Sequence, residues 1–166
     1  RLVRSTLPHA RIVRVDATRA LAMDGVHGVV TGRDADAHFG VLPISQDEEA
    51  VASDKVRYVG DIVAAVAADD EASAAAAVDA IEVVYEKLPE YFSTDEGQEP
   101  VEEPIHGWTV DGSNTQKRVD QHFGDMDEAV AGADVAPKGH FDFIGVAHAF
   151  TEPHAVTAVP EADGRL

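Results

Sequence analysis

Histidines and carboxylates near the end of the chain are the residues whose types could do chemistry. The densest group is His140, His148, Glu152 and His154. Imidazole and carboxylate groups serve as metal ligands and as general acids or bases. Their spacing argues against a metal site, because no HExxH pair occurs and a proline separates His148 from His154. We predict no metal ligands here and interpret these histidines as solvated or hydrogen-bonded strand residues.

Other spacings that carry chemistry do not occur in the sequence. The serines lack a GxSxG elbow, and there is neither a GxGxxG nor a GxxxxGK motif. A serine nucleophile, a dinucleotide-binding fold and a phosphate-binding loop are therefore unsupported. Cysteine is absent, which excludes disulfides, thiolate metal sites and cysteine-held iron–sulfur clusters within this chain.

The composition is strongly acidic, with 31 acidic residues against 13 basic ones and a net charge of −18 at pH 7. Such a field repels phosphate backbones and anionic lipid heads, so we predict neither nucleic-acid nor membrane binding. No apolar run approaches the ~20 residues of a membrane span, and no export signal is visible, so a cytoplasmic location is expected. Only four of the basic residues are lysine. This bias is typical of halophilic proteins, and an ordinary acidic surface remains the alternative.

The elements that must position these residues begin with a β-α-β pattern. Alternating apolar and charged residues, β-branched runs and an alanine-rich stretch with acidic residues in its first turn carry this interpretation. Thr18 is the predicted N-cap of a short helix that ends at Gly25. Strands are predicted at 11–16, 26–32, 55–69 (broken at Gly60) and 82–88, and helices at 19–23 and 70–81.

The second part of the chain has a different pattern. Prolines, glycines and acidic residues predict a linker at 99–114. Strands are then predicted at 115–123, 139–150 and 154–160, with a helix that opens at Asp125. The last strands have no evident partner within the sequence. The fold class indicated for the whole chain is α/β (α+β).

Four segments, in order along the chain, carry a resemblance to one known family. The first is RLVRSTLPHARIVRVDATRALAMDGVHGVVTG, which resembles a family segment that reads RSPHAHARI and ends in VVTG. The second is DKVRYVGDIVAAVAADDEASAAAAVDAIEVVYEKLP, which resembles a DKVRYVGEPVAAVAA stretch with its helix and IEVEYEELP strand. The others are FGDMDEAVAGAD, similar to GDVDAAFAEAD, and GVAHAFTEPHAVTAVP. The chain thus resembles the large, molybdenum-cofactor-binding subunit of the xanthine dehydrogenase/aldehyde oxidase family.

The resemblance implies an α/β-hammerhead domain with a mixed sheet at 1–98, a linker at 99–114 and the incomplete first segment of the molybdenum-cofactor-binding domain at 115–166. The family's glycine-rich cofactor loop and late catalytic glutamate would lie beyond Leu166. The chain is therefore expected to be the front part of a longer subunit, inactive alone and without bound molybdenum–pterin cofactor. Iron–sulfur clusters and FAD are expected on two partner subunits, with the hammerhead packed against the iron–sulfur subunit and lining the substrate approach.

Within the family, FGVLPISQDE and LPEYFS are most similar to the 4-hydroxybenzoyl-CoA reductase branch. This implies an aromatic acyl-CoA substrate that is reductively dehydroxylated to benzoyl-CoA, a reaction of aromatic degradation. Two alternatives stay open. One is a hydroxylase of xanthine, an aldehyde or carbon monoxide, and the other is a stand-alone hammerhead module for binding or assembly.

The resemblance also supplies candidate site residues. Glu152 is the candidate catalytic residue, and its alternative role is to orient the backbone at the Glu152–Pro153 step. Val146 and His148 are candidates for cofactor binding. Many oxidising members have a glutamine at the position of Val146, so the apolar residue here marks a departure from their pattern.

Overall fold

The computed structural model of the chain describes residues 1–35, 37–43, 46–152 and 154–165. These form two compact units, Arg1–Asp120 and Gln121–Leu166. Parts of three sequence predictions lie outside the described residues: Ile44 and Ser45 of FGVLPISQDE, Pro153 of the Glu152–Pro153 step, and Leu166 at the end of the predicted cofactor-domain segment.

The first unit contains eight strands and three helices among its described residues, and the second contains one helix. The strands are β1 (Leu2–Arg4), β2 (Ala10–Asp16), β3 (Val26–Thr31), β4 (His38–Phe39), β5 (Glu48–Glu49), β6 (Lys55–Val56), β7 (Ile62–Ala68) and β8 (Glu82–Lys87). The helices are α1 (Thr18–Leu21), α2 (Glu71–Ala80), α3 (Thr94–Gln98) and α4 (Met126–Ala131). None of the helices in the described ranges is long and apolar enough to cross a membrane.

Two three-stranded sheets make up the body of the first unit, with strand orders β1-β7-β3 and β6-β2-β8, and β4 pairs with β5 alone. Every strand pairing in the described part of the chain is antiparallel. The α/β (α+β) class is confirmed, but the sheets are not the mixed sheet that the sequence predicts. The reason is that α2 connects β7 in one sheet to β8 in the other, so this β-α-β unit creates no parallel neighbours.

Helix α2 confirms the strongest helix prediction. Asp70 precedes it in extended conformation, and its Oδ1 accepts a hydrogen bond from the backbone N–H of Ser73 at 2.7 Å. That bond satisfies one of the free N–H groups of the first turn and lowers the pKa of Asp70. Ala74 and Ala77 form the buried face of the helix.

Two apolar clusters form the core, the first drawn from both large sheets and the second from the β1-β7-β3 sheet and helices α1 and α2. The first is centred on Ala10, Ala52, Val56 and Val63, and the second on Ala20, Val66 and Ala77. Strand β7 supplies residues to both clusters, Val63 to the first and Val66 to the second. Because side chains along a strand point alternately to its two faces, β7 packs against the first cluster with one face and against the second cluster with the other.

Helix α1 begins one residue earlier than the sequence predicts. Ala17 is the residue before the helix and Thr18 lies within it, so Thr18 is not the N-cap. Asp16 provides the hydrogen bond at the start of the helix instead, since its Oδ1 accepts from the backbone N–H of Thr18 at 3.0 Å. The aspartate side chain reaches the first free N–H from two residues back, which a threonine at position 18 cannot do. Gly25 follows the helix with a φ of +79°, a conformation that favours glycine.

The segment predicted as a linker is folded as part of the first unit. We call residues 101–116 the strap. The backbone N–H of Val101 donates to the carbonyl oxygen of Gly112 at 2.9 Å, which closes the strap on itself, and Ser113 inside it is 3% exposed. Helix α3 before it carries a capping box of Ser93 and Glu96. The domain boundaries at 98 and 114 stay predictions.

The second unit contains α4, capped by Asp125, whose Oδ1 accepts from the N–H of Glu128 at 3.0 Å. The helix prediction is confirmed there. The strands predicted at 115–123, 139–150 and 154–160 are wrong for their described residues, which lie outside regular structure. A strand needs a neighbour for its backbone N–H and C=O groups, and these segments find none among the described residues. Phe141 and Phe143 are accordingly more than 90% exposed.

Candidate functional site

The residues that the sequence singles out lie in the second unit and do not converge on one site. Val146 is 79% exposed, and His148 and Glu152 are exposed as well. The ring of His148 stacks on Phe150 with centroids 5.6 Å apart, a contact between solvated side chains. Nε2 of His140 lies 3.0 Å from Oδ1 of Asp142. No group of three or more metal-binding side chains comes together within the described ranges. The roles of Val146, His148 and Glu152 stay predictions.

The first unit, by contrast, contains a cavity of about 400 Å³. One wall comes from the β4–β5 hairpin and the turn before β7, and the other comes from the strap. Its lining combines apolar and charged side chains: Phe39, Asp47, Glu49, Arg57, Tyr58, Asp61, Ile62, Ile105, His106 and Gln116. This cavity is the candidate site of the first unit.

Asp61 is the most deeply buried carboxylate of the cavity, with 8% of its surface exposed. It follows Gly60, whose φ of +97° makes the turn between β6 and β7. Its Oδ2 accepts from the backbone N–H of Arg57 at 3.0 Å. Burial raises the pKa of Asp61, because the loss of solvent outweighs the stabilising hydrogen bonds from backbone N–H groups. Burial beside Asp61 also raises the pKa of Tyr58.

Arg57 supplies the positive charge of the cavity. Its Nη1 donates to the carbonyl oxygen of Lys55 at 3.0 Å and lies 3.8 Å from Oε2 of Glu49, whose side chain is 10% exposed. Nε of Arg57 is buried and has no hydrogen-bond partner among the described protein groups. Glu49 is held in place by Ser53, whose backbone N–H and Oγ–H donate to it at 3.0 Å and 2.5 Å. Arg57 is thus fixed at the cavity wall by its contacts with Lys55 and Glu49.

His106 is the polar residue that links the strap to the other wall of the cavity. Its Nδ1 lies 2.6 Å from Oδ2 of Asp47, and the two side chains are 29% and 17% exposed. The second oxygen of Asp47, Oδ1, is buried and without a partner among the described groups. Asp47 and Arg57 thus each contain one buried polar atom that is unpaired among the described groups.

Two buried basic residues lie close to the cavity wall. Nζ of Lys55 donates to the carbonyl oxygen of Pro104 at 2.6 Å, and burial lowers the pKa of Lys55. His9 is 2% exposed, and its Nδ1–H donates to the carbonyl oxygen of Pro89 at 2.6 Å. Burial also lowers the pKa of His9, which favours the neutral ring. Both residues anchor later parts of the chain to the early strands.

The chemistry that this arrangement can perform is binding and orientation. Phe39, Ile62 and Ile105 provide apolar surface, while Arg57 and Asp47 contribute a guanidinium and a carboxylate. Apolar walls with a few placed polar groups are characteristic of small-molecule sites. The described lining includes no serine or cysteine nucleophile beside a base, so we assign it no covalent chemistry.

Sequence reasoning did not identify these residues. Arg57 and Asp61 lie in the DKVRYVGD segment, where they contribute to the resemblance but match no catalytic spacing. Their signal is the presence of charged residues in a segment predicted as buried strands, because a buried charge requires partners. His106 had no such signal, because its partner Asp47 is far away in sequence.

The chain is similar to known proteins over nearly its whole length. Residues 1–89 match the family model described as "Aldehyde oxidase and xanthine dehydrogenase, a/b hammerhead domain". The "Nicotinate dehydrogenase large molybdopterin subunit" of Eubacterium barkeri is 34% identical over 98% of this chain and 37% of its own length. The "Xanthine dehydrogenase" of Drosophila pseudoobscura pseudoobscura is 36% identical over 99% of this chain and 12% of its own length. The chain therefore spans between about an eighth and two fifths of these relatives.

The solved structures include a similar fold. The aldehyde oxidoreductase of Desulfovibrio gigas superimposes with a TM-score of 0.64 and 29% sequence identity. The superposition covers 81% of this chain and 16% of that protein. The similarity thus extends beyond the 89 residues of the hammerhead match.

Proposed function

The chain belongs to the aldehyde oxidase and xanthine dehydrogenase family, and on that premise we propose that it forms part of the large subunit of a molybdenum-dependent oxidoreductase. The observation that carries the proposal is the hammerhead match over residues 1–89. Two relatives that are 34% and 36% identical over nearly the whole chain support it. The activity is that of the complete subunit and its complex, of which this chain supplies one part.

The role proposed for this part is to line the approach of the substrate. The cavity of the first unit supports it, because apolar side chains such as Phe39 and Ile105 line it together with the polar side chains of Arg57 and Asp47. A flat, polar ring or carbonyl compound matches such a lining in size and polarity. The surface next to the cavity would contact the iron–sulfur subunit of the complex.

The molybdenum–pterin cofactor of the family would supply the redox chemistry when bound to the complete subunit. The described residues of the second unit do not fit that group. Val146 offers no hydrogen bond, His148 is exposed, and no buried cradle surrounds either of them. We therefore derive no chemical step through the cofactor from this chain. Iron–sulfur clusters and FAD are proposed for two partner subunits.

Two substrate classes are proposed for the complex. The FGVLPISQDE and LPEYFS segments, with an apolar residue at Val146, support reductive dehydroxylation of 4-hydroxybenzoyl-CoA in aromatic degradation. The names of the relatives favour the second class, oxidative hydroxylation, since they refer to nicotinate, xanthine and aldehydes. A developing charge in either reaction requires placed donors, and the two reactions need different placements.

A side-by-side turnover assay of the reconstituted complex distinguishes these classes. The substrates are 4-hydroxybenzoyl-CoA with a low-potential electron donor, and xanthine, nicotinate and benzaldehyde with an electron acceptor. Preferential turnover of the thioester supports the reductase, and preferential turnover of the other compounds overturns it in favour of a hydroxylase. Turnover of none of them by a complex loaded with molybdenum would contradict the proposed enzyme.

The same complex tests the proposed site residues. Glu152→Gln is expected to lower kcat if the carboxylate is catalytic, and to leave kcat unchanged if it only orients the backbone. His148→Gln and Val146→Gln test cofactor binding through the molybdenum content of the purified complex. His140→Gln, an exposed histidine of the same unit, is the matched control.

The stand-alone module remains the alternative from another class. For the isolated chain we expect neither stoichiometric molybdenum nor turnover, and metal analysis of the purified chain checks this. A natural stop codon directly after Leu166 would favour the module, and a longer open reading frame would favour the enzyme. We further propose a cytoplasmic location and a halophilic source, the latter because of the −18 charge and the scarcity of lysine.

A further inference from the structure

The strap is a closed loop that holds its own shape. The backbone N–H of Val101 donates to the carbonyl oxygen of Gly112 at 2.9 Å, and the N–H of Ile105 donates to Oδ1 of Asn114 at 2.8 Å. These bonds join the two ends of the strap to each other. A loop with such internal bonds can keep its conformation when its outer contacts are lost.

Charged and polar contacts attach the strap to the sheets. The guanidinium of Arg11 on β2 pairs with the carboxylate of Glu103, and Nζ of Lys55 on β6 donates to the carbonyl oxygen of Pro104 at 2.6 Å. Tyr91 adds a hydrogen bond from its hydroxyl to the carbonyl oxygen of Glu103 at 3.3 Å. The adjacent strands β2 and β6 therefore both bind neighbouring residues of the strap, Glu103 and Pro104.

The apolar cores do not depend on the strap. Neither of the two core clusters found among the described residues includes a residue of 101–116. Two further attachments are polar too: Nδ1 of His106 lies 2.6 Å from Oδ2 of Asp47, and the backbone N–H of Asn114 donates to the carbonyl oxygen of Gly97 on α3 at 2.7 Å. Segments with few buried apolar contacts open at a lower free energy than the core to which they are attached.

From these contacts we infer that the strap is a movable wall of the cavity. It leaves the sheets as a unit while both apolar cores stay folded, and its departure removes Ile105 and His106 from the cavity lining. Arg11 and Lys55 are the residues that set how often the strap is closed. The inference goes beyond the proposed function and does not depend on which molecule, if any, enters the cavity.

The chain is well suited to a direct measurement of this motion. Trp108 lies on the strap and is the only tryptophan, and the sequence contains no cysteine. A Val13→Cys substitution places a single thiol on β2, at a residue that is 54% exposed. Time-resolved energy transfer from Trp108 to an acceptor on that thiol, in the full 166-residue chain, separates a short-distance closed population from a long-distance open one.

Variants with and without strap contacts provide the test. Arg11→Gln removes the partly exposed ion pair with Glu103 on the strap, together with a looser pair with Glu86 on β8, and is expected to raise the open-to-closed ratio about two- to fivefold. Lys55→Met removes a buried charged hydrogen bond and is expected to raise it roughly tenfold or more. Arg14→Gln is the matched control, because Arg14 lies on the same strand and pairs with Asp16 and Glu82 rather than with the strap. The far-UV circular dichroism of all variants should stay that of the folded sheets.

Three outcomes would overturn the inference. The first is a single distance population in every variant, and the second is an open population that appears only together with loss of the sheet signal. The third is an equal effect of Arg11→Gln and Arg14→Gln. If Lys55→Met does not fold, the comparison of Arg11→Gln with Arg14→Gln alone tests the inference. Failure of the turnover assay would leave this result unaffected, so the two proposals fail independently.

Discussion

Replacing Gly32 with alanine tests how tightly the end of β3 packs against the chain that forms the cavity. A Cβ atom on Gly32 would lie 2.4 Å from the carbonyl oxygen of Ala52, 2.4 Å from Cα of Ser53 and 2.6 Å from the carbonyl carbon of Ala52. All three are backbone atoms, and Cβ contacts under 3.0 Å essentially never occur. Two of these distances must therefore grow from 2.4 Å to at least 3.0 Å by backbone movement.

That movement has an energetic cost that the structure allows us to bound. Ala52 is 4% exposed, belongs to the first apolar core and donates its N–H to the carbonyl oxygen of Ile62 at 2.7 Å. A shift at this point disturbs both the core and the pairing with β7. Forcing extra atoms into a packed core costs about 1–3 kcal/mol, and more where backbone must move. We expect Gly32→Ala to lower the free energy of unfolding by about 3 kcal/mol, at the upper end of that range.

Gly28, which lies within β3, provides the control. A Cβ there meets no described atom within 4 Å, so Gly28→Ala is expected to be neutral, or to stabilise by about 0.5 kcal/mol because alanine restricts the unfolded chain. Urea titrations followed by circular dichroism measure both variants. Stabilities of Gly32→Ala and Gly28→Ala within about 0.5 kcal/mol of each other, the scatter of ordinary surface changes, would refute the packing argument.

Two further predictions concern charge. The melting temperature should rise from low to molar potassium chloride, because salt screens the repulsion within a chain of net charge −18, and a flat or falling curve would leave only the ordinary acidic surface. The pKa of His9 is lowered by burial from its ordinary value of 6.5, so the unfolded chain binds more protons just below that pH and stability should fall as the pH falls through 6.5. His9→Asn should reduce the slope of the free energy of unfolding against pH, while His140→Gln, whose ring is exposed, should preserve it. Denaturation at each pH measures both variants, and equal slopes would contradict the role of His9.

The regular elements of the first unit could be predicted from local signals. Helix α2 has strong helix formers behind Asp70, and the break at Gly60 reflects a backbone conformation that favours glycine. The arrangement of the strands could not be predicted in this way. Whether β8 joins β7 or β2 depends on contacts far apart in sequence, and for that reason the expected mixed sheet is replaced by two antiparallel ones.

The residues of the candidate site could not be predicted from the sequence for a related reason. The distance between His106 and Asp47 depends on how the strap folds back, and nothing in a proline-rich acidic segment indicates that fold. The histidines near the end of the chain lie close together in sequence, but this closeness does not bring His140 and His148 together in space. Apolar strand patterns failed in the second unit because a pattern gives no information about whether a pairing partner exists.

The pairing of β1 with β7 and of β2 with β8 has a consequence for the order in which the molecule can form. Leu2 is opposite Ala65, and Ile12 is opposite Tyr85, so neither large sheet can close before the later strand has been synthesised. At ribosomal rates of roughly 5–20 residues per second, the nascent β2 waits for several seconds with its alternating apolar residues uncovered. Such non-local topology slows folding and exposes unpaired strand edges during translation. The dense negative charge of the nascent chain would keep neighbouring copies apart during that interval.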